Sequence, residues 1–458
     1  MLTENPDHQK ARAYFTRLLS RTSQRKDVNV VIVSHIVDSA IPFLPTLHQF
    51  FTVRAVYAKR NSIQPEVMNI LTAAMPDTSF VTLDRQRFHD DPTYFVEESF
   101  PRDAHEADAP VVLVDIGGYF AESRDSEHIG PQMISDALAS RGYRLAGIVE
   151  DTQNGHQRYE DAYALASGRL LPVTYSVAHS PLKKPENHLV GVAVTFSIEA
   201  ILRQSNIVLQ SRRAGVIGFG PIGRSVAHSL RNRGIPVRVC EVDPIRLAQA
   251  AAQGFHVHDY DDDFISFAHD LNLIVSSTGA GAHLLTDAPA PAEGFDDDLV
   301  RPGRYVARRH LALNSDTIRY IEPDTFLASV TSADDEIDIP GILANYRKEP
   351  VPFNKDLSRL VEVAANTAED SPRTPHSFYL LLDGNAVNFR HNGVIGPAIQ
   401  LLQGEIIRCI QELIDPTDLT IRGDKAGIAG VLELESELRR DVADCWLDQY
   451  LVENMMRG

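Results

Sequence analysis

Short apolar runs that stop at a polar residue recur along this chain and set its predicted elements. Residues 1–25 mix apolar and charged positions and predict an amphipathic opening helix. Val28 to Val33 is then apolar but for Asn29 and stops at Ser34-His35, the pattern of a strand buried on both faces. Comparable runs follow at Val53 to Tyr57, Phe80 to Leu83, Pro110 to Asp115 and Arg144 to Val149, with intervals long enough for helices. Strands alternating with helices predict a parallel sheet that gathers ligands at its carboxyl ends. His35, Asp115 and the pair Glu150-Asp151 all fall at such ends.

The prolines and polar residues of Leu171 to Asn187 predict a loop, and Val190 to Leu202 a helix. Ala214 to Asp243 then reads as strand, glycine turn, helix, strand and acidic end in order. In such a unit Gly218 turns the backbone out of the strand, Gly220 admits a pyrophosphate and Gly223 lets the helix pack on the sheet, with Ile222 in its first turn. The helix start would face the phosphates with unpaired N–H groups. Glu241, at the end of the second strand, is placed to accept the ribose hydroxyls of NAD and to repel the 2′-phosphate of NADP. Beyond it, Pro244 starts a helix running to Gly254, and Leu271 to Ser276 is a strand ending in the loop Ser277-Thr278-Gly279. Residues 287–303 read as an exposed connection, and Arg304 to Val306 as a strand just before His310. Phe378 to Leu382 and Ala386 to Phe389 flank Asp383-Gly384-Asn385, a hairpin signal. Ile395 to Leu413 is helical, and the tail from Thr417 has charged helical character.

Composition narrows the classes. With 458 residues, more than one domain is expected, and 43% hydrophobic with 23% charged residues is the balance of a soluble globular chain. A net charge of −18 opposes non-specific binding to nucleic acid. No run is long and apolar enough for a membrane span, and residues 1–26 lack the apolar centre of a signal peptide, so a cytoplasmic protein with no membrane partner is expected. Cys240, Cys409 and Cys445 are scattered, and the histidines show no metal-ligand spacing, so neither disulfides nor a metal site are expected.

The order of motifs over roughly residues 27–410 resembles the S-adenosylhomocysteine hydrolase family. GFGPIGRSVAHSLRNRGIPVRVCEVDPIRLAQAAAQGF carries the closest likeness, and its EVDP-I segment is more specific than its glycines. GIVEDTQNG at 147–155, SPLK at 180–183 and GNAVNF at 384–389 are similar to further family segments. The resemblance implies an α/β fold of two doubly wound parallel-sheet domains, one a Rossmann domain, with a helical C-terminal tail. It divides the chain into a substrate domain (1–203 with 350–410), an NAD domain (204–349) and a tail (411–458) that serves oligomerisation. It implies tightly held NAD, a homodimer or homotetramer, and transient 3′-oxidation of a nucleoside with 5′-elimination and hydration. His35, Asp151, Lys183 and His310 match its catalytic positions; Thr152, Thr278, Gly279 and Asn388 match cofactor or ribose contacts.

The departures lie on the substrate side. The family's Asp-Asp-Gly-Gly is Asp115-Ile116-Gly117-Gly118, and its adenine-reading segment becomes Ser34 to Ala40, with Asp38 inside it. Its Asp-Asn pair aligns with Asn187-His188, or with Glu186-Asn187 after a shift of one residue. Asp38, Asp115, Glu150, Asn187, His188 and His391 are therefore candidate substrate-side groups. The pattern implies retained NAD with an altered substrate or outcome. A net dehydrogenase of a small hydroxylated substrate and a catalytically inactive NAD-binding regulator are the alternatives.

Overall fold

The apolar run after Val28 does form a central strand. β1 (Asn29–Ile36) is paired on one edge by β2 (Thr52–Ile63) and on the other by β4 (Ala109–Asp115), and Asn29 to Ser34 are all buried. With β3 (Ser79–Thr82), β5 (Tyr143–Glu150) and β6 (Thr174–Ser176) it makes a wholly parallel sheet in the order β3-β2-β1-β4-β5-β6. Alternate side chains feed opposite faces, as the period of a strand requires. Val30, Ile32, Val112 and Val114 pack with the helices Pro6–Leu19 and Ala398–Ile414, whereas Val31, Val33, Tyr57 and Leu113 pack with Phe88, Phe95, Ile134 and Tyr159. The computed structural model describes residues 5–100, 108–279, 311–330, 336–363, 375–391, 393, 395–415 and 430–451.

A second sheet repeats the plan. β7 (Ala214–Ile217), β8 (Val237–Glu241), β9 (His256–Asp259), β10 (Leu273–Ser276), β11 (Phe326–Ser329) and β14 (Ser377–Leu381) run parallel in the order β9-β8-β7-β10-β11-β14. Both sheets thus have the order of a doubly wound dinucleotide fold, in which the first and fourth strands flank the ligand crevice. An antiparallel pair, β12 (Tyr346–Val351) and β13 (Asn354–Glu362), extends the second sheet beyond β14.

The chain divides into Met1–Glu186 with Ile395–Gly458, and Asn187–Val394. The expected boundaries shift accordingly. Of the segment expected in the substrate domain, β13 and β14 belong to the dinucleotide sheet, into which they hydrogen-bond. The tail is not a separate appendage: the helix Ser436–Tyr450 buries Val442 and Cys445 in the first unit's core.

Three local readings also change. The segment 171–187 holds β6 and the start of a helix, Lys184–Arg203, since Pro185 lies in a first turn where its missing N–H costs nothing. β9 escaped notice because only His258 of its four residues is buried, so it has no apolar run. The hairpin expected at 383–385 does not form. β14 already has β11 and β13 on its two edges, so the chain instead makes short 3-10 turns and pairs Ala386 in parallel with Ser329. The strand expected at 304–306 lies outside the described residues. No helix among the described residues is long and apolar enough to cross a membrane.

The helix Ala398–Ile414 sits so close to β5 that a Cβ on Gly147 would lie 2.3 Å from Leu413 Cδ2 and 2.6 Å from the Val173 carbonyl oxygen. Gly147→Ala is expected to lower stability by about 1–3 kcal/mol through overpacking. The shift of the urea unfolding midpoint measures it, and an unchanged midpoint would contradict this seating.

Candidate active site

The three glycines of the second unit's turn do different work. Gly218 has φ +91°, and a Cβ there would stand 2.5 Å from the Ser277 carbonyl oxygen; one on Gly223 would stand 2.1 Å from the Gly218 carbonyl oxygen. Both are demanded by the fold itself. Gly220 is not: a Cβ there meets nothing nearer than Arg246 Nη1 at 3.8 Å. It caps the helix Pro221–Asn232, whose buried face lies on β7 and β8 and whose first turn includes Ile222. An open approach at a helix start is the space a pyrophosphate needs. Asn388 adds a second sign of fit, because its Oδ1 is buried with no hydrogen-bond partner, as an acceptor awaiting an amide donor would be. The residues present thus fit a bound dinucleotide.

Several carboxylates expected to face ligands instead hold loops. Glu241 accepts from the backbone N–H groups of Phe219 (2.7 Å), Val242 (2.8 Å) and Asp243 (3.1 Å). Those bonds use three of its roughly four lone-pair sites, leaving room for one ribose hydroxyl rather than two. Glu150 accepts from Gly117 N and Gly118 N, both 3.0 Å, and from Thr152 N and Oγ1 at 2.6 and 2.7 Å. Asp115 accepts from Phe120 N at 2.9 Å and from the Tyr159 hydroxyl at 2.8 Å. Burial raises the Asp115 and Glu150 carboxyls, and their mutual repulsion raises Glu150 further. Thr152 caps the helix Gln153–Leu165 through Gly155 N. Thr278 and Gly279 are bonded to Glu336, whose carboxylate accepts from Ser276 Oγ (2.6 Å), Thr278 N and Oγ1 (both 2.9 Å) and Gly279 N (2.8 Å). Sequence reading missed Glu336, which no spacing or apolar pattern singles out.

At the carboxyl ends of the first sheet the structure assembles His35, Asp151, Lys183 and Glu186. Ser180 starts a 3-10 turn that buries Lys183, and the ammonium lies 2.7 Å from Asp151 Oδ1 and 3.3 Å from Glu186 Oε2. Lys183 thus has two acid partners, Asp151 and Glu186, and of the positions 186 and 187 it is Glu186 that lies against the ammonium. Burial opposes the Lys183 charge, but the two carboxylates outweigh it and raise the ammonium above its ordinary range. Burial raises Glu186, with Asp151 adding to the effect and Lys183 opposing it. Burial first, then the charges of Lys59 and Lys183, hold the His35 imidazole well below its ordinary value, so it is neutral near pH 7. Its tautomer follows from Ser62. That hydroxyl donates to the Lys59 carbonyl at 3.1 Å, so at 2.6 Å it accepts from His35 Nδ1–H, and Nε2 is the basic nitrogen.

The remaining candidates lie elsewhere. Asp38 is exposed and pairs with His8 at 2.8 Å. His188 uses its carbonyl to hold Ser225 Oγ at 2.6 Å, and His391 Nδ1 lies 3.1 Å from Ser197 Oγ; both are tied to helix packing within the second unit. Asn187 opens that unit without a contact that assigns it chemistry. His310 lies outside the described residues. Among those described, the one cluster with metal-ligand geometry, His269, Asp270 and Glu322, is largely exposed.

These features define an α/β protein with a dinucleotide-binding unit and a second doubly wound unit. Residues 193–288 match the family model for the S-adenosyl-L-homocysteine hydrolase NAD-binding domain. That stretch makes the cofactor NAD-type. Similar solved structures include the dipicolinate synthase A chain from Bacillus subtilis, at 12% identity and TM-score 0.39, covering 84% of this chain and 96% of that one. A 2-hydroxyacid dehydrogenase from Ketogulonicigenium vulgare Y25 is 14% identical, with TM-score 0.38 and coverage of 85% and 96%. An NADPH-dependent glyoxylate/hydroxypyruvate reductase from Sinorhizobium meliloti is 11% identical, with TM-score 0.38 and coverage of 84% and 94%.

Two predictions follow from this geometry. Gly220→Ala should leave the unfolding midpoint within about 0.5 kcal/mol of wild type yet reduce bound dinucleotide at least about tenfold, whereas Gly223→Ala should destabilise by about 1–3 kcal/mol. Cofactor content by absorbance, measured beside urea unfolding, separates them. Lys183→Met should cost about 3 kcal/mol, because it leaves Asp151 and Glu186 buried together without a cation. The Glu186 carboxyl, raised by burial and held back by Lys183, then rises further above its unfolded value, so the stability it contributes is fullest at low pH and is lost as pH rises. The variant should accordingly fall further behind wild type at pH 8 than at pH 5.

Proposed function

We propose that this chain is an NAD-dependent enzyme that activates a nucleoside or nucleoside thioether by transient oxidation of a ribose hydroxyl, followed by elimination of the 5′-substituent and hydration. The observation that carries the reading is the Lys183 ammonium held between Asp151 and Glu186 beside a neutral His35. The glycine turn at Gly218 to Gly223 would hold NAD, which would supply a reversible hydride acceptor for the alcohol carbon. Lys183 stays protonated and donates to the substrate oxygen, stabilising the negative charge that develops there. Glu186, a carboxyl raised by burial, takes and returns the hydroxyl proton, while Asp151 fixes the lysine. His35 Nε2 is placed to move the proton that accompanies the leaving group and the incoming water. Over the cycle one bond to the 5′-substituent is exchanged for one to water, with no net oxidation.

The second, catalytic aspartate that the family resemblance would lead one to expect after Asp115 is replaced by Ile116, and Asp115 is buried with its Oδ2 accepting from Phe120 N and the Tyr159 hydroxyl. The 4′-proton therefore falls to the Lys183 cluster or to His35 in this reading.

Protein purified and then denatured should release near-stoichiometric NAD by mass spectrometry, and incubation with adenosine in deuterium oxide should place deuterium at the 4′ carbon. Accumulation of free NADH with substrate in excess would instead support net dehydrogenation. Absence of a dinucleotide would end the proposal.

A further inference from the structure

Lys59 sits at the crevice between β1 and β4, the place where doubly wound sheets bind their ligands. Pairing of β1 with β2 steps from Ser34–Ala58 to Ile36–Ile63, so residues 59–62 arch out of the ladder alongside His35. Lys59 belongs to β2, yet its ammonium donates to the Ile116 carbonyl at 3.2 Å, in the loop after β4. To make that bond the side chain crosses the carboxyl end of β1, which lies between β2 and β4 in the sheet. The ammonium also lies 5.6 Å from the centre of the Tyr119 ring and would stand 3.6 Å from a Cβ on Gly117.

A lysine ammonium has three donors, and among the described residues this one makes a single hydrogen bond, to a neutral carbonyl. Among the described residues no carboxylate pairs with it. Lys183, the other cation near His35, is already matched by Asp151 and Glu186. A half-buried ammonium with two donors unspent, at the ligand end of the sheet, is a counter-charge waiting for an anion.

We propose that Lys59 forms an anion-binding subsite beside His35, so that the ligand of the first unit carries a carboxylate or phosphate group. This deepens the reading above and rests on its assignment of the substrate to the first unit. Lys59 is a specificity-determining residue in this scheme, binding the anionic end while the Lys183 cluster meets the reacting carbon.

The test uses the NAD-loaded protein and simple anions, so it does not depend on a nucleoside. Thermal unfolding is followed while inorganic phosphate or acetate is titrated at constant ionic strength, with chloride as the balance, for wild type, Lys59→Met and Lys59→Arg. Wild type and Lys59→Arg should be stabilised in a saturable manner, and Lys59→Met should bind about tenfold more weakly. Stabilisation by phosphate alone supports a phosphate monoester, and by acetate alone a carboxylate. A response equal in wild type and Lys59→Met is general salt exclusion and overturns the subsite, as does wild type behaving as in chloride. Should Lys59→Met fail to fold, acetylation of wild type by an amine-reactive ester serves instead. The effective anion should slow modification of Lys59 relative to exposed Lys184, and an unchanged ratio overturns the proposal. An enzyme inert toward nucleosides that still shows Lys59-dependent anion binding would sink the functional reading and leave the subsite standing.

Discussion

Buried carboxylates accepting backbone N–H bonds hold this molecule's two ligand ends in shape. Glu150 ties the loop after β4 to the turn after β5, Glu241 ties the glycine turn after β7 to the end of β8, and Glu336 ties down the loop after β10. A parallel sheet ends in loops whose amides have no ladder partner, and a buried amide left unpaired costs about 1–3 kcal/mol. Each glutamate satisfies several of them at once, and its own charge is solvated in return. Burial raises the Glu150 and Glu336 carboxyls while those same hydrogen bonds pull them back down. The loops at the carboxyl ends of both sheets are therefore held by the protein's own hydrogen bonds.

That arrangement explains which parts of the site were legible in the sequence. Apolar runs located β1, β2, β4 and β5, because a strand buried on both faces leaves no other pattern, and the glycine fingerprint located the dinucleotide turn. Residue type alone could not say which way a strand-end acid points. Glu150 and Glu241 are acids at the right places, yet both accept from backbone amides of their own loops, and Thr278 donates to the Glu336 carboxylate. Glu336 stayed hidden for the converse reason: it follows a segment with no strand or helix pattern, and only the folded chain brings it to Ser276. β9 and the register of β14 depend on which sheet edges are vacant, which is a property of the whole sheet.

The glycines make the same distinction in steric terms. Gly218 and Gly223 are fixed by contacts to carbonyl oxygens within the turn, so either would be glycine in a fold that bound nothing. Gly220 faces open space. Of the fingerprint, it is the glycine whose lack of a side chain the fold leaves unexplained and a phosphate explains. Within the motif, room for a dinucleotide is thus concentrated at Gly220.

Charge is distributed unevenly across the ligand end of the first sheet. Lys183 stands between two acids, so that cluster carries no surplus positive charge, and its proton-holding groups are matched to one another. Lys59, across β1, has among the described residues a carbonyl and a ring face as its partners. His35 lies between these two environments and is kept neutral by burial and by both cations. A neutral imidazole there can accept a proton without first losing one, which an isolated surface histidine would do only above its ordinary titration range. In the proposed scheme this asymmetry would orient a substrate: an anionic end would be drawn to Lys59 and repelled by Asp151 and Glu186, which would leave the neutral, oxidisable carbon for the lysine with its two carboxylates.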